Sequence, residues 1–375
     1  MAAMVTATDF IAATVDRVRA AAATNTPLRI RGGGSKDFYG QALTGDILDM
    51  AAFTGVISYE PSELVVTVRA GTRLAELEAL LAAQGQCLPF EPPHFGQHST
   101  VGGMVASGLS GPARGSVGAV RDYMLGVTLL NGKGERLTFG GQVMKNVAGY
   151  DVSRLMAGSL GTLGVLLELS LKVLPVAPAE ATLRFEMSQA EALRSLNAWG
   201  GQPLPLNASC WVDVDGTRTL YLRLRGAVAA VEAACRTLGG ERLGNAAAAP
   251  DWNLCRDQQL PWFLARGRNG TGGDLWRLSV PQTAPVLDLI EPPLIEWHGG
   301  QRWVRAGAAD AQRLRQAAAA VGGHATLFIA DCEDSIRTTP RFDALKSPLD
   351  RIHRELKKQF DPAGILNRGR MYPDW

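Results

Sequence analysis

Three glycine-rich segments constrain the fold of this chain more than any other feature of the sequence. They are residues 31–36 (RGGGSK), residues 96–108 (GQHSTVGGMVASG) and residues 158–164 (GSLGTLG). Glycine has no Cβ, so the backbone of such a segment can bend sharply and approach a ligand closely. Successive N–H groups in a glycine-rich bend form an anion-binding concavity, which suits a pyrophosphate. The alternative is that these segments are tight connections packed between strands.

The glycine spacing does not match two common nucleotide-binding motifs. The chain has no G-x-G-x-x-G, so the sequence does not support a Rossmann dinucleotide site. Gly126 to Lys133 resembles a P-loop only superficially, because it has one residue too many and Gly134 stands where Ser or Thr is required. We interpret this stretch as a hairpin, since Asn131-Gly132 favours a type I′ turn.

Composition excludes several classes of function. With 375 residues, the chain is long enough for two or three domains. Its formal net charge is +2 and it has no basic block, so we expect no nucleic acid partner. The five cysteines form no C-x-x-C pair, so we expect no zinc site, no iron–sulfur cluster and no other metal.

The N-terminal segment lacks the charged-then-apolar order of a signal peptide, and no apolar run reaches spanning length. We therefore expect a cytoplasmic protein. Contact with the inner face of a membrane is then expected only through partners, as peripheral association.

Hydrophobic periodicity and turn residues predict an α+β chain. In its first half we expect helices over 8–23 and 74–81, and strands over 28–31, 63–69 and 165–173. The second half repeats a β-α-β-β-α pattern, once over 181–238 and again over 275–329. This pattern predicts either a ferredoxin-like duplication or one larger antiparallel sheet with helices on one face. The second unit includes a predicted short helix over 284–290.

These patterns divide the chain into three parts. We assign residues 1–176 to a first domain, residues 177–335 to a smaller second domain, and residues 336–375 to a tail that returns to the first domain. The tail is expected to begin with a helix over 349–359, with Ser347-Pro348 as its N-cap and first residue.

The motifs together resemble the FAD-binding fold of the vanillyl-alcohol oxidase type, also called the PCMH type. The resemblance rests on the three glycine segments, on residues 145–151 (KNVAGYD) and on residues 361–367 (DPAGILN), and it covers about the first half of the chain plus the tail. It implies a first domain of two subdomains. It also implies that the FAD diphosphate is held by loops rather than by a helix dipole behind a Rossmann strand.

The resemblance further implies which residues contact FAD. The loops 31–36 and 99–103 would clamp the pyrophosphate, residues 106–118 would lie along the flavin, and residues 161–165 would meet the adenine or the ring. The implied cofactor-binding residues are Arg31, Gly32, Gly33, Gly34, Ser35, Lys36, Gln97, Ser99, Thr100, Gly102, Gly103, Ala106, Ser107, Gly108, Gly115, Gly118, Gly161, Thr162, Val165 and Asn367. Some relatives carry a histidine in the first loop; this loop has none, so we expect non-covalent FAD.

Within this family, residues 89–96 (PFEPPHFG) and the short second domain are most similar to the FAD-binding subunit of bacterial glycolate oxidase. That resemblance implies oxidation of glycolate, a small 2-hydroxy acid, to glyoxylate. It also implies two partners, a second FAD-containing oxidase subunit and an iron–sulfur subunit that receives the electrons. Two alternatives stay open: a non-catalytic FAD-binding assembly or electron-relay subunit, and a stand-alone FAD dehydrogenase of another small alcohol or acid.

The sequence departs from its relatives where a catalytic base is needed. Relatives that oxidise D-2-hydroxy acids carry a His-Ala-Gly-Asp-Gly-Asn-x-His motif, which offers a base and metal ligands. The nearest sequence here is residues 322–326 (GGHAT), so His324 is a candidate base; the alternative is a structural histidine. Candidates for a carboxylate clamp, or else solvated surface arginines, are Arg266, Arg268, Arg277, Arg302 and Arg305.

Overall fold

The computed structural model describes residues 6–141, 151–264, 273–331 and 339–375, which contain both helices and strands. The helices are α1 (Ala7–Thr24), α2 (Leu74–Ala82), α3 (Val101–Ser107), α4 (Arg114–Val117), α5 (Val152–Met156), α6 (Gln189–Gly200), α7 (Val228–Leu238), α8 (Asn245–Arg256), α9 (Pro261–Leu264), α10 (Ala311–Ala320) and α11 (Leu349–Phe360). The strands are β1 (Leu28–Arg31), β2 (Asp46–Asp49), β3 (Val56–Glu60), β4 (Val65–Arg69), β5 (Gln86–Cys87), β6 (Met124–Leu130), β7 (Arg136–Gly140), β8 (Val165–Lys172), β9 (Leu174–Pro175), β10 (Ala179–Glu186), β11 (Leu206–Val214), β12 (Thr217–Gly226), β13 (Glu241–Leu243), β14 (Asp274–Ser279), β15 (Leu294–Glu296), β16 (Gln301–Ala306) and β17 (His324–Ile329).

A five-stranded antiparallel sheet with the order β3-β4-β8-β6-β7 forms the centre of the first domain. Its central strand β8 reads as an almost continuous apolar run, because both of its faces are covered. Leu169 and Leu171 belong to one buried cluster with residues of α2 and α3. Val165 and Leu167 belong to a second cluster, formed with α1 and the tail.

The second cluster marks a smaller layer of the first domain. Here β1 and β2 pair in parallel, and α1 packs beside them. The tail contributes Ile365 and Leu366, both fully buried. The five-stranded layer and this smaller layer are the two subdomains that the PCMH-type resemblance implies, and the predicted fold class is confirmed.

The second domain is built on one eight-stranded antiparallel sheet with the order β13-β10-β12-β11-β15-β16-β14-β17. From its outer edge inward, one half has the order β13-β10-β12-β11 and the other the order β17-β14-β16-β15. If the four strands of each half are numbered along the chain, both orders are 4-1-3-2, which is the order of a ferredoxin-like unit. The two halves join through their second strands, with Cys210 paired to Glu296 and Trp211 to Ile295. The ferredoxin-like duplication therefore holds, and the two units join edge to edge into one larger antiparallel sheet.

Alternating side chains give this sheet two different faces. Trp211, Trp276 and Val304 pack into clusters with α6, α7 or α10 on one face. Cys210 and Trp303 lie on the opposite face, in a cluster with α8 and residues of the first domain. Helices thus cover both faces rather than one, and the expectation of helices on a single face is wrong because α8 and the first domain cover the other.

Several local predictions need correction. The stretch 284–290 contains no helix, since so short a segment is marginal as a helix and Pro292 disfavours helical backbone at the residue before it. The hairpin of β6 and β7 is confirmed, but its connection spans residues 131–135 and not a two-residue turn. Gly134 takes the positive φ of +71°, whereas a Cβ on Gly132 would lie 2.3 Å from Asp361 Oδ1. The elements α8, α9 and β13 were not predicted.

The tail is fixed to the first domain by a buried ion pair. Lys357 Nζ lies 2.7 Å from Asp361 Oδ2 and also donates to the carbonyls of Thr162 and Leu366. Asp361 accepts the N–H groups of Ile365 and Leu366. Pro348 rather than Ser347 is the N-cap of α11, so the predicted serine cap is wrong. The domain boundaries at 176 and 335 remain our proposal.

Candidate functional site

Two neighbouring cavities lie among the glycine segments and the second domain. The slot, of about 110 Å³, is lined by residues 29–37, α3, residues 160–161 and the tail. The cleft, of about 1420 Å³, is lined by β14, β17 and α10, by α4 and the residues flanking it, and by residues 339–349. Ser107 and Leu160 line both cavities, so slot and cleft adjoin.

Most residues implied to contact FAD line these cavities. Those along the slot are Arg31, Gly32, Gly33, Gly34, Ser35, Lys36, Thr100, Gly102, Gly103, Ala106, Ser107, Gly161 and Asn367. Those along the cleft are Ser107, Gly108 and the candidate base His324. The residues that line neither cavity are Gln97, Ser99, Gly115, Gly118, Thr162 and Val165.

The first glycine loop offers unpaired backbone donors to the slot. In the described part of the chain, no acceptor pairs with the N–H groups of residues 32–36. The loop also fits tightly against the second segment, since a Cβ on Gly33 would lie 1.4 Å from the His98 carbonyl oxygen and one on Gly32 would lie 2.4 Å from Thr100 Oγ1. A run of free N–H groups held in a glycine bend suits an anion.

The second glycine segment differs from the predicted loop. Val101–Ser107 is a short helix, with Thr100 as its N-cap accepting from the Gly103 N–H at 3.2 Å. The Val101 N–H donates to Thr72 O and the Gly102 N–H to Ala70 O, so these donors are already used within the fold. A Cβ on Gly102 would lie 2.7 Å from the Ala70 Cβ. Gly102 is therefore required for packing of α3 against Ala70, the residue that follows β4.

Lys36 joins the first loop to the second segment. Its Nζ donates to Ser99 Oγ at 2.8 Å, to the His94 carbonyl at 3.2 Å and to Ser35 Oγ at 3.3 Å. Burial lowers the pKa of Lys36 to about 8, and Asp257 opposes this shift. Arg29, Arg31 and Arg370 add positive charge to the described slot lining, which has one carboxylate, Asp37, paired with Arg29 and Arg31.

Asn367 closes the slot by tying three segments together. Its Oδ1 accepts from the Ile30 N–H at 2.7 Å, and its Nδ2 donates to the Leu160 carbonyl at 2.6 Å. A Cβ on Gly161 would lie 2.6 Å from the same Nδ2. The amide of Asn367 is thus engaged by the protein, and it positions the slot wall.

One face of the second-domain sheet supplies polar side chains to the cleft. On β14 and β17, Arg277 is paired with Thr326 and Ser279 with His324, and all of these residues line the cleft. Paired residues of antiparallel strands share a face, so these side chains form one patch. His324 is exposed to the cleft, yet desolvation by the surrounding protein lowers its pKa, as do Arg277 and Arg114, while Asp343 opposes the shift.

Arg114 reaches the cleft from the first domain at the seam between domains. Its guanidinium lies 4.3 Å from the centre of the Trp297 ring. The Trp297 Nε1 donates to the Gly111 carbonyl at 3.0 Å, and a Cβ on Gly115 would lie 2.9 Å from the Trp297 Cα. Gly115 therefore sits in the seam, and its predicted contact with FAD stays a prediction.

The remaining predicted residues are occupied elsewhere. Val165 is fully buried in the core, and the Thr162 hydroxyl donates to the Ser159 carbonyl at 2.7 Å. Gly118, with φ +92°, lies beside Asp122. The Gln97 carbonyl accepts from Arg73. Their contacts with FAD also stay predictions.

The arginines predicted as carboxylate-clamp candidates fall into three groups: structural, cleft-lining and outside the described residues. Arg302 is fully buried and donates to the carbonyls of Gly299, Ala284 and Pro285, and Arg305 donates to the carbonyls of Gly273 and Phe263. Both are therefore structural. Of the clamp candidates, Arg277 alone lines the described cleft, whereas Arg266, Arg268 and residues 145–150 lie outside the described residues.

Sequence reasoning missed Arg114, Tyr39 and Arg370. Arg370 lies three residues after Asn367, in the tail that the PCMH-type resemblance brings to the slot. Its place in the sequence could therefore have predicted that it lines the slot. Arg114 and Tyr39 reach the cleft through contacts between segments distant along the chain, and no local pattern marks such contacts.

Two structural findings bear on metals and membranes. The described residues hold no group of three or more His, Cys, Asp or Glu side chains placed to bind a metal ion. Among the described helices, none has both the length and the apolar character that crossing a bilayer requires.

Comparison with known proteins matches the first domain to a cofactor family. Residues 2–140 match the FAD binding domain family. A solved alkyldihydroxyacetonephosphate synthase has the same fold, with a TM-score of 0.62, 17% identity, and coverage of 94% of this chain and 73% of that one. The predictions of a PCMH-type fold and of FAD as cofactor are confirmed.

Whole-chain similarity is more specific. The chain is 45% identical over 366 residues to "Glycolate oxidase subunit GlcE" of Escherichia coli (strain K12), covering 98% of each chain. A "D-lactate dehydrogenase" of Anaerostipes hadrus is 32% identical over 139 residues, 37% of this chain and 29% of that protein. "Glycolate oxidase subunit GlcD" of Bacillus subtilis (strain 168) is 31% identical over 42% of this chain and 34% of its own length. The chain therefore belongs to the family of the glycolate oxidase subunit GlcE, a family of FAD-binding oxidoreductases.

Proposed function

We propose that this chain is the FAD-binding subunit of a glycolate oxidase, which converts glycolate to glyoxylate with release of an electron pair and two protons. The observation that carries the proposal is the 45% identity to a glycolate oxidase subunit over 98% of both chains. A match confined to the FAD domain would support the cofactor alone, whereas this match includes the second domain that forms the cleft.

The slot provides the donor set that a dinucleotide diphosphate requires. The free N–H groups of residues 32–36 would bind the phosphate oxygens, and Lys36, Arg31 and Arg370 would balance their charge. Gly103 leaves the slot open beside α3, since among the described residues outside the α3 backbone a Cβ there would meet one atom within 4 Å, Thr100 Oγ1 at 3.2 Å. The residues present therefore fit FAD bound along the slot toward the cleft.

Bound FAD supplies a two-electron acceptor for the oxidation. The chain itself would supply the base that takes up the substrate proton in the cleft. His324 is the histidine in the described lining of this cleft. Its lowered pKa keeps the ring neutral at pH 7, so it can accept the hydroxyl proton of a hydroxy acid. The backbone of β17 fixes its place in the patch beside Ser279.

We further propose that the chain works with partner subunits, a second FAD-containing oxidase subunit and an iron–sulfur subunit that accepts the electrons. The support is that the relative with whole-chain similarity is itself named as a subunit. Peripheral association with a membrane would come through these partners.

The test is anaerobic reduction of the FAD-loaded chain, alone and after assembly with the partner subunits. Glycolate is expected to bleach the visible flavin band in the assembled protein. Bleaching of the isolated chain as well would exclude the assembly-only role. A flavin in this chain that glycolate leaves oxidised in both states, while D-lactate bleaches it in the isolated chain, would favour a stand-alone dehydrogenase and contradict the proposal.

A further inference from the structure

The described cleft lining carries far more positive than negative charge. Arg114, Arg121, Arg277 and Lys346 face it, and none of them has an ion pair with a carboxylate among the described residues. Asp343 is the one carboxylate in that lining, and it lies 2.8 Å from Arg315. The cleft therefore has a surplus of unpaired cations.

Arg114 and Arg277 differ from ordinary surface arginines. Both are half-buried, and each guanidinium rests on aromatic rings, Arg114 on Trp297 at 4.3 Å and Arg277 on Phe328 at 5.4 Å. Burying a charge without a counter-charge is costly, so such groups are normally paired. The two arginines come from different domains and meet at one cavity, which suggests that their missing partner is a ligand.

The orientation of Arg277 is fixed before any ligand arrives. Its Nη2 donates to the Tyr39 hydroxyl at 3.0 Å, and its charge lies over the Tyr39 and Phe328 rings. One guanidinium nitrogen is thereby used, which leaves the other donors for a second partner. A planar guanidinium suits a carboxylate, which it can bind through two parallel hydrogen bonds.

The electrostatic environment of Arg114 agrees with this placement. Burial lowers the pKa of Arg114, and the nearby positive charges of Arg277 and Arg121 lower it further, with Asp122 opposing. Arg277 and Arg114 also both lower the pKa of His324. The two guanidiniums and the imidazole therefore share one electrostatic neighbourhood.

The sheet register sets the separation between the clamp and the base. Arg277 pairs with Thr326 and His324 with Ser279, so Arg277 and His324 are diagonal neighbours on one face. Diagonal neighbours lie roughly 7–8 Å apart at their Cα atoms, within reach of long side chains. A 2-hydroxy acid carries its hydroxyl on the carbon next to its carboxylate, and this short span matches that arrangement.

We propose that Arg114 and Arg277 form a two-domain clamp for the carboxylate of a small 2-hydroxy acid in the cleft. The proposal rests on the proposed function for the identity of the acid. The cleft itself assigns the ligand class, an organic carboxylate, and makes both arginines binding residues.

The probe is oxalate, a small dicarboxylate that cannot be oxidised as a hydroxy acid. Its binding to the FAD-loaded chain is measured by calorimetry and by the shift of the flavin absorption band. Arg114→Gln and Arg277→Gln are each expected to weaken oxalate binding about 10- to 100-fold, because each removes a charge-assisted hydrogen-bond pair. Arg277→Lys keeps the charge but loses the fork, so it is expected to recover part of the affinity.

Arg315→Gln is the matched control. It removes one positive charge from the same cleft, but that charge is already paired with Asp343, so oxalate affinity is expected to fall less than in either Arg114→Gln or Arg277→Gln. FAD content and circular dichroism are recorded for every variant, and Arg277→Lys serves if Arg277→Gln does not fold.

Three results would overturn the clamp: undisturbed oxalate binding in both glutamine variants, an equal loss in Arg315→Gln, or a loss of FAD rather than oxalate. Failure of the proposed function looks different. An assembled complex that binds oxalate through both arginines yet does not oxidise glycolate would refute the glycolate assignment and leave the clamp intact.

Discussion

At the scale of single residues, the absence of a side chain at Gly33 decides whether the slot can form. A Cβ there would overlap the His98 carbonyl oxygen, which is backbone and cannot rotate away. Overpacking of this kind costs about 1–3 kcal/mol. We expect Gly33→Ala to lower FAD affinity about 10- to 100-fold, measured as flavin retained after ultrafiltration.

The control for that substitution is Gly200→Ala, since a Cβ on Gly200 would meet no atom within 4 Å. Gly200 ends α6 in the second domain, far from the glycine loop along the chain. Equal flavin retention by both variants would show that the first loop does not depend on a glycine at position 33.

Protonation of Lys36 should accompany FAD binding and can be measured as proton uptake. Its pKa of about 8 means that part of the population is neutral in mildly alkaline solution. A bound diphosphate favours the charged form and raises this pKa. We expect FAD binding to take up protons between about pH 8 and 9, seen as heats that depend on the ionisation enthalpy of the buffer.

Lys36→Met should abolish that proton uptake and weaken FAD binding in the same titration. The conservative Lys36→Arg variant keeps its charge across this range, so it should bind FAD without taking up protons. Uptake that persists in Lys36→Met would assign the titration to another group.

If His324 is the base, kcat/KM for the proposed oxidation should fall at acidic pH, where the imidazole is protonated. Desolvation by the surrounding protein, Arg277 and Arg114 lower the pKa of His324, against Asp343, so the neutral base is lost only at a more acidic pH than for a free imidazole. We expect His324→Gln to reduce kcat/KM for glycolate about 10²- to 10⁴-fold and to remove the acidic limb. A variant that keeps the wild-type pH profile would make His324 structural.

At the scale of elements, α11 holds the tail through the Lys357–Asp361 pair. Removing one partner of a buried pair costs about 3–5 kcal/mol, because the other charge stays buried and unpaired. We expect Lys357→Met to lose about 3 kcal/mol of unfolding free energy in urea and to make the tail sensitive to proteolysis.

Arg354→Met on the same helix is the comparison for Lys357→Met. Arg354 pairs with Asp374 at an exposed position, and exposed pairs contribute about 0–1 kcal/mol. Similar losses for both variants would mean that burial of the Lys357 pair is not what anchors the tail.

Element prediction succeeded where local signals were strong. α1, α2, β1 and β8 follow from apolar periodicity and from Pro and Gly boundaries, and the structure contains each of them. The second glycine segment was misread because glycine disfavours helices, whereas here Gly102 is tolerated for the close contact with Ala70. Tertiary packing overrode a local propensity, which single-sequence reasoning does not detect.

At the scale of the whole molecule, Glu91 links the two domains. It accepts from Arg223 at 2.7 Å and from Arg225 at 3.1 Å, both on β12 of the second domain. Burial alone would raise the pKa of Glu91, but the two guanidiniums, with hydrogen bonds from Arg223 and the Ala113 N–H, hold it below its usual range. The interaction thus depends on an ionised carboxylate.

A lowered folded-state pKa means that this stabilisation is complete above the unfolded pKa, about 4.3 for glutamate, and is lost as pH falls through the folded value. We expect Glu91→Gln to lower the unfolding free energy at pH 7 by about 3 kcal/mol. The difference in unfolding free energy between Glu91→Gln and the wild type should shrink below about pH 4. Thermal unfolding at each pH measures this difference.

Glu180→Gln provides the comparison, since Glu180 pairs only with Arg225 in this network and is more exposed than Glu91. A smaller loss, of about 1 kcal/mol or less, is expected. An equal loss would mean that the contact between domains does not rest on Glu91.

The glycine segments predicted the slot, because the residues that form much of its lining are consecutive in the sequence and recognisable as short motifs. The cleft was harder to predict, because it depends on where two domains meet. Glu91 and Arg223 are separated by 132 residues, and Ser116 and His298 by 182. Contacts at such separations leave no periodic mark in one sequence, so Arg114 was not anticipated as a neighbour of Arg277.

The closure of the slot by Asn367 has a consequence for how the protein is made. A ribosome releases the first domain and the second-domain sheet before residues 361–367 emerge from its exit tunnel, so nascent chains have an incomplete slot wall. The Ile30 N–H and the Leu160 carbonyl lack the Asn367 amide as a partner until residue 367 has left the ribosome. We therefore expect tight FAD binding only once residue 367 has emerged, and chains truncated before this residue should retain less flavin.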